Sequence, residues 1–155
     1  MGGFRKEKAY ENYAWIFLFG LGIIGLVFAL WDMFSGVTDD PQSVKALTGR
    51  NWEDVVRNSP GLAGLVLQWV RAAGIATLGF SIFGIAISIS GYRKGIRWTW
   101  YASWSIPAVI VGFTLNNASV GGSLGPVFLT LLIVAILGLL LPYRKFFPKK
   151  QPVTP

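Results

Sequence analysis

Residues 98–143 read WTWYASWSIPAVIVGFTLNNASVGGSLGPVFLTLLIVAILGLLLPY, about 46 residues without a charged side chain. That run is too long and too apolar for a single buried core helix. About 20 apolar residues cross the hydrocarbon of a bilayer, so it has room for two crossings and a turn. The turn is legible as Asn116-Asn117-Ala118-Ser119, then Gly121-Gly122-Ser123. Two more apolar stretches lie upstream, at 14–34 and 72–91. The chain therefore reads as all-α: an integral membrane four-helix bundle in one domain over 1–155. Its spans fall at about 14–34, 72–91, 98–115 and 124–141.

Composition agrees. The chain is 53% hydrophobic, with a mean hydropathy of +0.53, well outside soluble-domain usage. Cysteine and histidine are absent. Disulfides, Cys/His zinc sites, iron–sulfur ligation and His-ligated haem are excluded with them. So is the usual general base near neutral pH. No cofactor is expected. The net charge of +7 does not read as a nucleic-acid footprint. The cations sit at the ends of apolar runs, where topology and anionic headgroups account for them.

Lysine and arginine set the orientation. The tail before span 1 carries three, the turn between spans 2 and 3 carries three, and the last segment carries four. The segment between spans 1 and 2 has three, plus Arg71 at the edge of span 2, offset by Asp39, Asp40, Glu53 and Asp54. The turn between spans 3 and 4 has none. The positive-inside rule then predicts both termini in the cytoplasm. The first apolar run exceeds a signal-peptide core, and no A-x-A site follows it, so it reads as a span. The residues after 150 are expected to be loose.

The outer segment, 35–61, is predicted to be helical rather than slack. Asp40-Pro41 reads as an N-cap with a proline at N1, and Gly49 as the stop. Asn51 reads as a second cap, with Glu53 and Asp54 in the first turn. Trp52, Val55 and Val56 are its expected apolar face. Ser59-Pro60 opens a third helix that runs into span 2.

Within the spans the polar residues are few. Asp32 and Arg71 fall at similar depth near the outer ends of spans 1 and 2, and are a candidate intramembrane ion pair. Two readings are open: a gate or ligand anchor, or a structural pair whose charges reach the headgroups. Gly74, Thr77, Ser81, Gly84, Ser88 and Gly91 recur at spacings of three and four, making one face of small residues on span 2. Such a face lets helix backbones approach in lipid. Its expected partner is Gly22, Gly25 and Ala29 of span 1. The sharper reading is a polar lining for a narrow path. Trp98, Trp100, Tyr101 and Trp104 are expected interfacial aromatics, with a kink at Pro107. The alternative there is an aromatic pocket for a lipid or pigment. No catalytic residues or metal ligands emerge. Glu53 and Asp54 diverge by about 100° on a helix. Asn117-Ala118-Ser119 matches a glycosylation acceptor, a tripeptide common by chance.

One resemblance can be stated. Leu47-Thr48-Gly49-x-x-Trp52-Glu53, Ser59-Pro60, Arg71 and Tyr92-Arg93-Lys94-Gly95-x-Arg97-Trp98-x-Trp100-Tyr101 resemble a pattern in small prokaryotic four-span membrane proteins that carry no assigned activity. The resemblance covers about 47–107. It implies a fold and a bacterial or archaeal inner membrane, and no functional residue.

The expected function is non-enzymatic: an interaction or accessory subunit of a membrane assembly. Its partners would be membrane lipids and other membrane proteins or itself, with no nucleic acid. The alternatives are a small oligomeric transporter or channel using the span-2 face, and a lipid or apolar-ligand binder using the span-3 aromatics.

Overall fold

A computed structural model describes residues 9–36, 38 and 40–148. The basic flank at 1–8 and the tail expected to be loose lie outside those residues. All regular structure among the described residues is helical. Three helices are long and apolar enough to cross a membrane: Glu11–Phe34, Pro60–Tyr92 and Gly125–Phe146.

Helix α1 covers Ala9–Tyr13 and α2 Trp15–Phe34. Two short outer helices follow, α3 over Pro41–Thr48 and α4 over Trp52–Asn58. The Asp40 side chain caps α3 by accepting from the Ser43 amide, and Gly49 closes the helix at φ 70°. That left-handed backbone is open to glycine without a Cβ penalty. Asn51 occupies the cap position of α4, but its side chain makes no capping bond. The Asn51 expectation therefore holds for the backbone only.

Helix α5 covers Pro60–Ile87 and runs on through a π-turn, Ser88–Tyr92. Together they are 33 residues long. At 1.5 Å per residue that is about 50 Å, well beyond a hydrocarbon core of about 30 Å. The expected third span is not one helix. It is α6, Arg97–Ser103, and α7, Ser105–Ser119, interrupted at Trp104. Pro107 has no N–H to give the Ser103 carbonyl, so the ladder breaks one turn before it. Helices α8, Gly125–Leu140, and α9, Tyr143–Phe146, are the last among the described residues.

Packing places α2 between α5 and α8, with α7 on the far side of α8. Glycines set the two close approaches. Gly22 and Gly25 of α2 face Ile85 and Ser81 of α5, and Gly138 of α8 faces Phe17 and Leu18 of α2. Lipid tails are as apolar as leucine, so contact between backbones matters more here than hydrophobic drive.

Two cores result. The larger, at the end carrying α6 and α9, gathers Leu18, Leu21, Tyr92, Ala135, Leu139 and Phe146. The smaller lies under the outer segment, where Val44 of α3, Val55 of α4 and Ala63 of α5 meet. Trp52 is half-buried against it. Val56 is 46% exposed and is not part of that face. Neighbouring residues on a helix point about 100° apart, so Val55 and Val56 cannot both look inward.

Candidate functional site

The end of the molecule that carries α3 and α4 is tied together by one carboxylate. Asp40 is only 7% exposed. Besides the α3 cap, it accepts from the Ser43 hydroxyl at 2.6 Å. From the end of α7 it accepts the Asn117 amide at 2.5 Å, and from the turn that follows the Ser123 hydroxyl at 3.1 Å. The Ser123 backbone N–H adds a bond at 3.3 Å. Gly122 lets this approach happen, because a Cβ there would run into Asn117 and the Asp40 carboxylate. Burial alone would raise the Asp40 pKa. The bonds from Ser43, Ser123 and Asn117 outweigh it and hold the carboxyl below its ordinary value of 3.8.

The clasp also takes up the asparagine of the glycosylation tripeptide. Asn117 is 7% exposed and its amide nitrogen is committed to Asp40. Sequence reasoning found Asp40 only as a helix cap. Its other partners lie 77 and 83 residues away, and no local pattern points across that distance.

The opposite end is closed by aromatic side chains that complete a helix terminus. Pro142 has no N–H to donate to the Gly138 carbonyl four residues back. The Tyr92 hydroxyl donates to that carbonyl instead, at 2.7 Å. The Trp100 indole N–H donates to the next one, Leu139, at 3.0 Å. A buried carbonyl left without a donor is costly, and these two bonds supply donors for the last carbonyls of α8. Trp100 stands at the centre of an edge-on cluster with Tyr101, Trp104, Tyr143 and Phe147. Trp98 and Tyr101 are more than half exposed. The four aromatics named from sequence thus divide: Trp100 is half-buried, while Trp98, Tyr101 and Trp104 face outward.

On α5 the small-residue face turns inward. Gly74, Ser81, Gly84, Ser88 and Gly91 are buried, and Thr77 is half-buried. They do not all serve the same contact. Gly74 sits against Ala29, Asp32 and Met33, and Ser81 against Gly25. Gly91 sits against Thr99 of α6 rather than against α2. Gly84 has open space where a Cβ would be. The Ser88 hydroxyl turns back to the Gly84 carbonyl at 2.7 Å.

Asp32 and Arg71 are near in depth, since the Asp32 side chain packs on Gly74, one turn along α5 from Arg71. Asp32 is half-buried and Arg71 is exposed. Asp32 lies on the α2–α5 seam beside Gly74.

No cluster of His, Cys, Asp and Glu among the described residues could hold a metal ion. No protein-family model, curated protein or solved structure matches this chain.

Proposed function

We propose that the chain is a four-span protein of a prokaryotic inner membrane, with both termini cytoplasmic, and that it serves as an interaction subunit of a membrane assembly. The topology rests on the charge count and on α6–α7 crossing as one broken span. Cysteines placed at exposed Gln42 and Ser119 are expected to react with an impermeant maleimide from outside. A cysteine at Lys149 should react only after lysis. Labelling of Lys149 in intact cells would reverse the topology.

One observation carries the interaction reading. The first turns of α5 bury Ala63 and pack half-buried Val66 under α3 and α4. Their other side raises Leu62, Leu65 and Trp69, which are 39%, 51% and 70% exposed. Spaced at i, i+3 and i+7, these three form one ridge. Even at an ordinary tilt of about 20°, roughly ten residues of α5 stand beyond the hydrocarbon. The ridge is thus apolar surface that lipid tails do not cover, the kind of patch that marks a protein contact. The span-2 hydroxyls support this reading over a polar path, because Ser81 and Ser88 are occupied by packing and by a helix carbonyl.

Extraction in mild detergent followed by mass spectrometry tests it. The intact chain is expected to come out in fixed ratio with another membrane protein or with itself. Leu65→Glu together with Trp69→Ala should release that partner without loss of the chain. A chain that purifies alone as a monomer would refute the proposal.

A further inference from the structure

Five cations are gathered at the end of the molecule that carries α6 and α9. Arg93, Lys94 and Arg97 surround the turn between α5 and α6, and Arg144 and Lys145 lie on α9. The two segments are pinned to one another. Lys145 Nζ donates to the Arg93 carbonyl at 3.0 Å, and its stem rests on Gly95. Arg97 Nε donates to the Phe146 carbonyl at 3.1 Å. The Arg93 guanidinium stands 5.3 Å from the centre of the Trp15 ring, and that of Arg97 5.7 Å from the Phe147 ring.

The side-chain hydrogen bonds of Arg97 and Lys145 go to backbone carbonyls. Glu11, the carboxylate on α1, which touches α9, is only 3% exposed. Folding therefore holds like charges together at one end of the helices and leaves Arg93, Lys94, Arg97 and Arg144 exposed. Directly beside them lie exposed Trp98, Tyr101 and Tyr143, and beyond these the apolar flanks of the helices. The complement of such a surface is a molecule with a negative head and an apolar body.

We propose that this collar binds the phosphate headgroups of anionic phospholipids in the adjoining leaflet. The proposal rests on the membrane-spanning reading. It differs from the general bias of positive charge toward one leaflet because the positions are fixed by contacts between segments about 50 residues apart. Arg97 and Lys145 each have a bond to a backbone carbonyl and act as struts. Arg93, Lys94 and Arg144 are exposed and supply the free charge.

Tryptophan quenching tests the collar. Four of the seven tryptophans, Trp15, Trp98, Trp100 and Trp104, lie at this end. The full chain is placed in bilayers containing brominated phosphatidylglycerol or brominated phosphatidylcholine. Tenfold or stronger preference for the anionic lipid is expected. Arg93→Gln, Lys94→Gln and Arg144→Gln together should remove most of it, at about fivefold for each basic residue. Quenching by brominated phosphatidylcholine should be unchanged, which shows that the variant is inserted and folded. The charge-preserving set Arg93→Lys, Lys94→Arg and Arg144→Lys should retain the preference. Arg50→Gln with Arg57→Gln, at the other end, should leave it intact.

Equal quenching by the two lipids in the parent chain would overturn the proposal, as would an equal loss in the Arg50/Arg57 variant. A preference abolished by millimolar inorganic phosphate would assign a small-anion site in its place. Absence of quenching by either lipid would overturn the membrane reading and this inference together.

Discussion

Replacing Asp40 with alanine is expected to detach the outer segment from the α7–α8 turn and to lower stability by roughly 3 kcal/mol. Two losses combine. The α3 cap contributes about 0.5–2 kcal/mol. Hydrogen bonds to a charged group contribute about 1.5–3 kcal/mol, and Asn117 and Ser123 would lose theirs together. The carboxylate is 7% exposed, so water does not readily replace it. Asp40→Asn keeps the shape and one acceptor oxygen, and should fall between. Thermal unfolding in a fixed detergent measures the loss, and limited proteolysis over 35–61 locates it. Parent-like melting with no new cleavage would show that the clasp is ornamental.

The pH dependence follows from the lowered pKa. A carboxyl whose folded value lies below its unfolded one stabilises the fold in its ionised form. The contribution is complete above the ordinary value of 3.8 and is lost as pH falls through the lower folded value. Between about pH 5 and 8 the clasp is insensitive to pH. Its loss belongs to the acid limb, and Asp40→Ala should flatten that limb.

Gly74→Leu is expected to force α2 and α5 apart, at an overpacking cost of about 1–3 kcal/mol. A Cβ at position 74 would lie 2.9 Å from the Asp32 Cβ and 3.0 Å from the Ala29 carbonyl oxygen. A flexible side chain could turn aside. A backbone oxygen in the middle of α2 cannot. Gly84→Ala is the contrast. It lies on the same face, but a Cβ there meets nothing within 4 Å. Alanine is favoured over glycine in a helix by up to about 1 kcal/mol, so Gly84→Ala should be neutral or stabilising. The two variants melted side by side test the seam. Similar behaviour of both would mean that small residues on this face do not set the helix separation.

That contrast marks the boundary between sequence and structure. Charge-free runs, basic ends, Asp40-Pro41, Gly49 and Ser59-Pro60 are local signals. Hydrophobic length, capping and proline act within a few residues of where they are written, so the helices and the outer segment were legible. The small face of α5 was legible as well, because helical period fixes which residues share a side. What the neighbours would be was not. Gly74, Gly84 and Gly91 look equivalent in sequence. They meet a carbonyl, open space and Thr99. The Tyr92 and Trp100 bonds to α8, the reach of Asp40 to Asn117, and the joining of Lys145 to Arg93 pair residues 39 to 77 positions apart. Asp32 and Arg71 share a depth but differ in burial. Depth follows from counting residues along a helix, whereas rotation and partner are settled only when whole helices pack, because packing is a property of surfaces that distant parts of the chain make together.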